Sequence, residues 1–378
     1  MSRRIGLRTM GSIGAKAPVA LAPPPSTVGT STWGMATAYP FQRKTFYANG
    51  QYWVFYSDGT NLVYRTSTDG ITWSDATDVR VCAYGEFFSI WFDGTYVHYA
   101  YAELSIYYRR GTPDSDGAIT WSAVEQTVST TYNKAYYPFV SVDTSGYVWV
   151  GYVDWGGAYH PYVIKSGNND GTWGATPAGF PYLLTATTGA FAVEVIPLTV
   201  DKMLAVYVKF ENPVKAKRWD GSSWGTERSV TSNIKDDFAF SAVAQGDDVH
   251  LVFLKLTSYD IIYVKYTYTS DSFGTEVTVQ ASATEDSYPT LSINTANNKL
   301  YCFWAASPSD HHIYYKKRVA ETWDSDPTDW IDESTDTIGT AMRQELTSFY
   351  KAFNKKIGLA YMTKVASPYN VRFACLFV

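Results

Sequence analysis

The sequence has few cysteines, no large excess of positive or negative charge and almost no helical periodicity. Its three cysteines, Cys82, Cys302 and Cys375, lie far apart and form no CxxC pair. This pattern argues against a disulfide framework and against a zinc site, so we expect three buried free thiols and no metal or other cofactor. No apolar run approaches the roughly 18 residues that a membrane-spanning helix needs, so we expect no membrane insertion.

The formal net charge is −5, and the acidic and basic residues are spread along the chain. The sequence therefore has no concentrated positive field that would gather a polyanion, and we expect no nucleic-acid binding. Charged residues make up 18% of the chain and aromatic residues 17%. That balance is typical of many short β-strands rather than of solvated helices.

The N-terminal 30 residues differ from the rest of the chain. They have a basic start followed by Ala, Gly and Pro without hydrophobic periodicity, and Lys16 and Pro18 interrupt the apolar run that a secretion signal would need. We interpret residues 1–30 as an arm that becomes ordered by contact with other subunits of an assembly. Residues 31–378 are then a single domain.

The chain is rich in a repeated turn that is followed by an aromatic residue. These aromatic residues are Trp73, Trp121, Trp173, Trp224, Phe273 and Trp323. Successive members are 48, 52, 51, 49 and 50 residues apart. So regular a spacing over six copies is typical of a β-propeller or a similar array.

Each repeat contains four short runs of alternating hydrophobicity that are separated by turn residues. In residues 87–122 these runs are FFSIWF, TYVHYAYAE, LSIYYRR and ITWS. Four antiparallel strands per repeat predict one propeller blade. The sequence therefore predicts an all-β fold built from four-stranded antiparallel blades.

The two ends of the chain decide the number of blades. Residues 343–378 supply three strands but no fourth, whereas STWGMAT around Trp33 looks like an isolated fourth strand. Pairing these segments would complete a seventh blade and remove the exposed edges of an open ring. We therefore predict a seven-bladed β-propeller closed by its N-terminal strand, with six blades and a loose tail as the alternative.

The repeated turns resemble the Asp-box, or BNR repeat, of sialidases and related propellers, whose pattern is Ser/Thr-x-Asp-x-Gly-x-Thr-Trp. The matching residues are Ser67, Asp69, Gly70, Thr72 and Trp73 in the first turn, and Asp116, Thr120 and Trp121 in the second. The resemblance implies a structural role, in which Asp caps the turn between strands three and four and Trp packs between blades. Trp224 in RWDGSSWGTE is more similar to the repeat of propeller lectins.

The resemblance to sialidases also implies three arginines that bind the substrate carboxylate and a Tyr-Glu nucleophile pair. One of these arginines belongs to an Arg-Ile-Pro motif ahead of the first turn. The comparable stretch here is YPFQRKTF, in which Arg43 is the only arginine. The sequence therefore argues against sialidase activity.

In the propellers that this chain resembles, the functional face is formed by loops that lead into strand one and by loops between strands two and three. A glycosidase needs two carboxylates across a bound sugar. If the chain is a hydrolase or lyase, the candidates are Asp237 as acid, Glu285 as base and Asp154 as an orienting group. Asp310, His311 and His312 are adjacent potential metal ligands, but neighbouring side chains of a strand point to opposite faces, so we expect no bound ion.

Glycan binding requires an exposed aromatic face and a few polar groups that fix the hydroxyls. Trp155, Tyr159 and His160, in the segment DWGGAYHPY, fit this requirement best. The further candidate ligand-binding residues on the same face are Asp236, Asp286 and His311.

The leading hypothesis is a non-catalytic structural and binding propeller that contacts glycans. It would belong to a virion, as a phage tail or capsid accessory protein, or to another extracellular assembly. This resemblance to phage virion propellers is one of general type. The alternatives are an extracellular Asp-box glycoside hydrolase or lyase, and a protein-interaction scaffold whose acidic face meets a basic partner.

Overall fold

The protein is described here by a computed structural model, which covers residues 22–129, 135–154, 156, 159–209, 213–339, 342–343 and 345–378. In these ranges the chain forms seven antiparallel β-sheets, and helical structure is confined to short 3-10 turns such as Gly85–Phe87. The predicted all-β, seven-bladed propeller is confirmed. None of the helical segments in these ranges is long and apolar enough to span a membrane.

The first strand, β1 (Ser26–Ser31), belongs to the last blade. Blade 1 contains β2 (Thr45–Ala48), β3 (Gln51–Ser57), β4 (Asn61–Ser67) and β5 (Thr77–Val81). Blade 2 contains β6 (Phe88–Phe92), β7 (Val97–Ala102), β8 (Ile106–Pro113), β9 (Ile119–Trp121) and β10 (Gln126–Ser129). Blade 3 contains β11 (Ala135–Val142), β12 (Val148–Asp154), β13 (His160–Lys165) and β14 (Tyr182–Leu183).

Blade 4 contains β15 (Ala192–Pro197), β16 (Met203–Val208), β17 (Val214–Trp219) and β18 (Arg228–Thr231). Blade 5 contains β19 (Phe240–Gln245), β20 (Asp248–Leu254), β21 (Ile261–Thr267), β22 (Ser272–Phe273) and β23 (Val277–Gln280). Blade 6 contains β24 (Thr290–Asn294), β25 (Lys299–Ala305), β26 (His312–Val319), β27 (Thr322–Trp323) and β28 (Thr328–Asp332). Blade 7 contains β29 (Thr347–Ser348), β30 (Lys356–Thr363), β31 (Tyr369–Phe377) and β1.

The core lies between neighbouring blades. The second strand of each blade is covered on both faces, so β3, β7 and β12 are buried along their whole length, whereas the outer strand β5 is largely exposed. This difference explains why inner strands have nearly continuous apolar sequences and outer strands do not. All three cysteines are buried free thiols, as expected.

The strand that closes the ring differs in position from the prediction. β1 pairs antiparallel with β31, from Ser26 opposite Phe373 to Ser31 opposite Tyr369, and it buries Val28. Trp33 lies just beyond this strand, packs edge-on against Tyr84 and donates from Nε1 to Glu86 Oε2 at 3.3 Å. β1 therefore lies largely within the predicted arm, and residues 1–21 fall outside the described part of the chain.

The first Asp-box-like turn joins β4 to β5. Asp69 Oδ1 accepts hydrogen bonds from the amides of Ile71 and Thr72 at 2.8 Å and from the Ser67 hydroxyl at 2.9 Å, and Gly70 N donates to Ser67 Oγ at 2.8 Å. These bonds lower the pKa of Asp69 to about 2. Trp73 donates from Nε1 to Ser26 Oγ and packs edge-on against Phe373, so the turn joins blade 1 to blade 7.

The second turn uses a different acid from the one suggested by the motif. Asp114 Oδ1 accepts from the amides of Asp116 and Ala118 at 2.9 Å, while the Asp116 side chain is exposed. The capping acid of this copy is therefore two residues N-terminal to the position that the motif indicates. Trp121 packs edge-on against Tyr99 and lies beneath the guanidinium of Arg109.

Substituting Asp114 with Ala should destabilise the fold more than the same change at Asp116. Asp114→Ala removes two amide hydrogen bonds, which we expect to lower the free energy of unfolding by about 1–2 kcal/mol. Asp116→Ala should change it by less than about 0.5 kcal/mol. Urea unfolding measures both values, and equal losses in the two variants would contradict the assignment of the cap.

Candidate functional site

The upper end of the central channel, where the loops lead into the innermost strands, is filled by residues 36–44, here called the axial segment. Every residue of this segment is buried. The side-chain amide of Gln42 donates to the carbonyls of Glu86 and Pro138 at 2.9 Å, and Thr37 Oγ1 donates to the carbonyl of Glu345 at 2.7 Å. The axial segment thus links blades 2, 3 and 7.

Arg43 lies at the axis and is fully buried. Its Nη2 donates to Ala242 O at 2.8 Å, and its Nη1 donates to Leu291 O at 3.1 Å and lies 3.4 Å from Ser348 O. Burial lowers the pKa of Arg43 to about 10, while the carboxyl of Glu194 acts in the opposite direction. The guanidinium is therefore engaged by blades 5, 6 and 7 and is not directed at the upper surface, unlike the substrate arginine that the sialidase resemblance implies.

Aromatic rings pack together at this end of the channel, and buried Tyr39 is one of them. Tyr39 stacks on Phe238 with ring centres 4.1 Å apart, and Tyr137 packs edge-on against Phe238 at 4.7 Å. Tyr159 packs against Phe191 and lies close enough to Tyr137 to help raise its pKa, although burial is the largest cause of that shift. We call Tyr137, Tyr159, Phe238, Asp236 and Asp237 the upper site.

The backbone at two residues of the upper site is strained. Tyr137 has φ of 53° and Tyr159 has φ of 52°. Bulky side chains rarely adopt the left-handed region, and such strain persists where the surrounding structure fixes it, often at functional sites. Other bulky residues of the described ranges, such as Val200 and Tyr259, also have positive φ, so the strain by itself does not mark a site.

The two aspartates of the upper site have raised pKa values. Burial, followed by the charge of Asp236, raises the pKa of Asp237 to about 7, and burial is also the main cause that raises the pKa of Asp236 to about 6. Asp236 Oδ1 accepts from Phe238 N at 2.8 Å, whereas buried Asp237 Oδ1 has no hydrogen-bond partner among the described residues. Such a carboxyl group can accept or donate a proton near neutral pH.

The predicted site residues are only partly brought together. Tyr159 and Asp237 both lie near Tyr137, and Asp286 is buried near enough to Asp236 to help raise its pKa. Trp155 lies outside the described residues. The structure thus groups the candidates from blades 3, 5 and 6 around the axis.

Other predicted residues have different surroundings. Glu285 is half exposed and pairs with Lys235 at 3.1 Å, and Asp154 is buried with Oδ1 accepting from Gly156 N at 2.8 Å. His160 pairs with Asp154 in the β12–β13 ladder. The Glu285 carboxylate is therefore held at the exposed rim by a lysine, whereas Asp237 is half-buried.

The potential metal ligands on the blade 6 loop have separate partners. Asp310 pairs with Arg343 at 2.9 Å, His311 Nδ1 lies 3.1 Å from Ile338 O, and His312 pairs with Asp329 at 2.9 Å. Within the described ranges no group of three or more His, Cys, Asp or Glu side chains could hold a metal ion.

Tyr39 and Phe238 were not predicted as parts of this aromatic cluster. Phe238 directly follows the predicted pair Asp236 and Asp237, so its neighbours could have indicated it. Tyr39 comes from a segment that the sequence marks only by its apolar character, and its position depends on contacts with distant blades.

No protein-family model matches the sequence, and no curated protein matches it. Solved structures are similar to it in fold. The polysaccharide lyase Uly1 superposes with a TM-score of 0.57 at 10% identity, over 92% of this chain and 91% of that chain. An oligogalacturonate lyase from Vibrio parahaemolyticus has a TM-score of 0.53 at 10% identity, over 90% of each chain.

The NanB sialidase from Streptococcus pneumoniae has a TM-score of 0.47 at 13% identity, over 93% of this chain and 70% of that chain. At such identities the likeness shows the propeller fold alone. Fold and site together define a seven-bladed β-propeller with an aromatic and acidic surface at one end of its channel. Membership of the Asp-box superfamily stays a prediction.

Replacing Asp237 with Asn should stabilise the protein in a pH-dependent way. The native carboxyl stays protonated up to about pH 7, whereas in the unfolded chain it ionises near 3.8. The wild type therefore loses stability as the pH rises between these values. The shift corresponds to about 4 kcal/mol before solvent screening, so we expect Asp237→Asn to gain about 2 kcal/mol at pH 8 and nothing at pH 4.

Urea unfolding at pH 4 and pH 8 measures this difference, with Asp116→Asn at an exposed turn as the control. A gain of equal size at both pH values would contradict the raised pKa.

Proposed function

We propose that this chain is a carbohydrate-binding β-propeller and that the sugar occupies the upper site. The observation that carries the proposal is a group of half-buried rings in which Tyr137 packs on Phe238 and lies near both Tyr159 and Asp237. Oδ1 of Asp237 has no partner among the described residues. The rings offer apolar surface for the C–H face of a sugar. The carboxyl offers an acceptor for its hydroxyl groups.

A second candidate function, a glycoside hydrolase or lyase, is favoured by the pKa of Asp237. A general acid or base works best when its pKa lies near the working pH, and that of Asp237 is raised to about 7. The two similar lyases act on polysaccharide or oligogalacturonate according to their names. In this proposal Asp237 transfers the proton, and the charge of Asp236 helps to raise the pKa of Asp237. The roles of Glu285 as base and of Asp154 as orienting group stay predictions.

The setting of the protein also stays a prediction. A virion or other extracellular assembly, and docking through an N-terminal arm, were inferred from residues 1–30, of which residues 1–21 lie outside the described part of the chain. Because β1 begins at Ser26, removal of residues 1–21 would retain the closing strand and would test the arm separately from the fold.

A panel of immobilised glycans and soluble polysaccharides tests the proposed function. We expect the wild-type protein to be retained by one class of glycan, and Asp237→Asn and Tyr159→Ala each to weaken that binding by at least about tenfold, because each removes one sugar contact. Glu321→Gln, at an exposed position paired with Arg318, should bind like the wild type.

The same incubations are assayed for released reducing ends and for unsaturated uronic acids. Retention without release supports a binding protein, and release that Asp237→Asn abolishes supports the enzyme. If no glycan of the panel is retained or cleaved, both proposed functions are contradicted. A protein-interaction scaffold is then the remaining alternative.

A further inference from the structure

The lower end of the channel, below Arg43, contains a cavity that the upper site does not use. It has a volume of about 80 Å³, and its lining includes Trp91, Phe139, Glu194 and Tyr350. A wider vestibule of about 450 Å³ lies next to it, and Trp91 and Tyr350 line both spaces. Volumes of this size suit a small ligand whose bulk extends towards solvent.

The cavity wall is mainly aromatic and aliphatic. Trp91 stacks on Tyr350 with ring centres 4.0 Å apart and packs edge-on against Phe139 at 6.2 Å. The Tyr350 hydroxyl donates to Phe92 O at 2.7 Å, which fixes this ring. Lys351 Nζ lies 5.2 Å from the centre of the Tyr350 ring, so this wall already holds one cation against an aromatic face.

Glu194 is the acidic group of this cavity. It lies on the innermost strand of blade 4 and is almost completely buried, and its Oε2 has no hydrogen-bond partner among the described residues. Burial raises the pKa of Glu194 to about 8, with Arg43 acting in the opposite direction. A buried carboxyl without a full set of partners is costly, and a ligand that supplies a donor would remove that cost.

We propose that the lower cavity is a second binding site that accepts a small primary ammonium ion. The ammonium group pairs with the Glu194 carboxylate, and the short alkyl chain lies against Trp91 and Phe139. This site stands apart from the proposed carbohydrate function, because its residues come from the opposite end of the channel.

Binding releases a proton. The protonated Glu194 carboxyl gives up its hydrogen to solvent, and the resulting carboxylate pairs with the alkylammonium ion, which keeps all its protons. The other ionisable residues that line this space are Tyr350 and Lys351, and Arg43 lies near Glu194. Below about pH 8 the affinity should therefore rise by up to about tenfold per pH unit.

Calorimetric titration of the full chain with n-propylammonium chloride tests the proposal. We expect a dissociation constant of about 1 mM, because so small a ligand makes few contacts. Titration in two buffers with different ionisation enthalpies should show about one proton released at pH 6.5. n-Propanol, which lacks the charge, should bind at least about tenfold more weakly.

Two variants locate the binding. Glu194→Gln should weaken it at least about tenfold and abolish the proton release, and Ala244→Leu should block it by filling the cavity, in which Ala244 is a lining residue. Thermal unfolding confirms that each variant is folded, and exposed Glu321→Gln is the matched control.

The proposal is overturned if the wild type gives no heat of binding up to about 20 mM ligand, well above the expected dissociation constant. It is also overturned if both variants bind like the wild type, or if propanol binds as tightly as propylammonium. Glycan retention at the upper site is measured separately, so the failure of one proposal leaves the other intact.

Discussion

A buried guanidinium group at the axis is the contact on which the arrangement of the channel depends. Arg43 donates to carbonyl oxygens of Ala242 and Leu291 on two blades and lies against Ser348 on a third. Its own carbonyl accepts from Ile90 N of blade 2 at 2.8 Å. Both terminal nitrogens of the guanidinium have acceptors on these blades, although Nε has none among the described residues, and a shift of the axial segment out of this register would break these bonds inside the channel.

This register divides the channel into two ends with different chemistry. Above Arg43 the axial segment presents Tyr39, which stacks on Phe238 beside the two aspartates with raised pKa values. Below Arg43 the lining of the lower cavity includes Glu194 and aromatic rings. Burial raises the pKa of the carboxyl groups at both ends. Asp236 and Asp237 at the upper end lie on a loop, whereas Glu194 at the lower end lies on a strand. The two ends are therefore suited to different ligands.

Much of the fold could be predicted because the blade repeat is local in sequence. The same turn, strand pattern and spacing recur in every blade. Ring closure could be predicted because the C-terminal segment supplies only three of the four strands of the last blade. The closing strand is Ser26–Ser31 and not the predicted segment around Trp33. Trp33 resembled a strand residue because it is aromatic, but its ring packs on Tyr84. Loop positions indicated Asp236 and Asp237 as site residues, and that role stays a prediction. Arg43 and Tyr39 could not be placed, because no local pattern specifies their side-chain partners. The acceptors of the Arg43 guanidinium are 199 and 248 residues away, and Tyr39 stacks on Phe238 of a distant blade.

The most direct test of this account is the stability of Arg43→Met, measured by urea unfolding against Arg228→Met. Arg228 is exposed and pairs with Asp271, so its replacement should cost less than about 1 kcal/mol. Loss of the Arg43 donors should lower the free energy of unfolding by about 3 kcal/mol or more, because the buried carbonyl and hydroxyl groups of three blades lose their partner. A cost no larger than that of Arg228→Met would contradict the central role of Arg43.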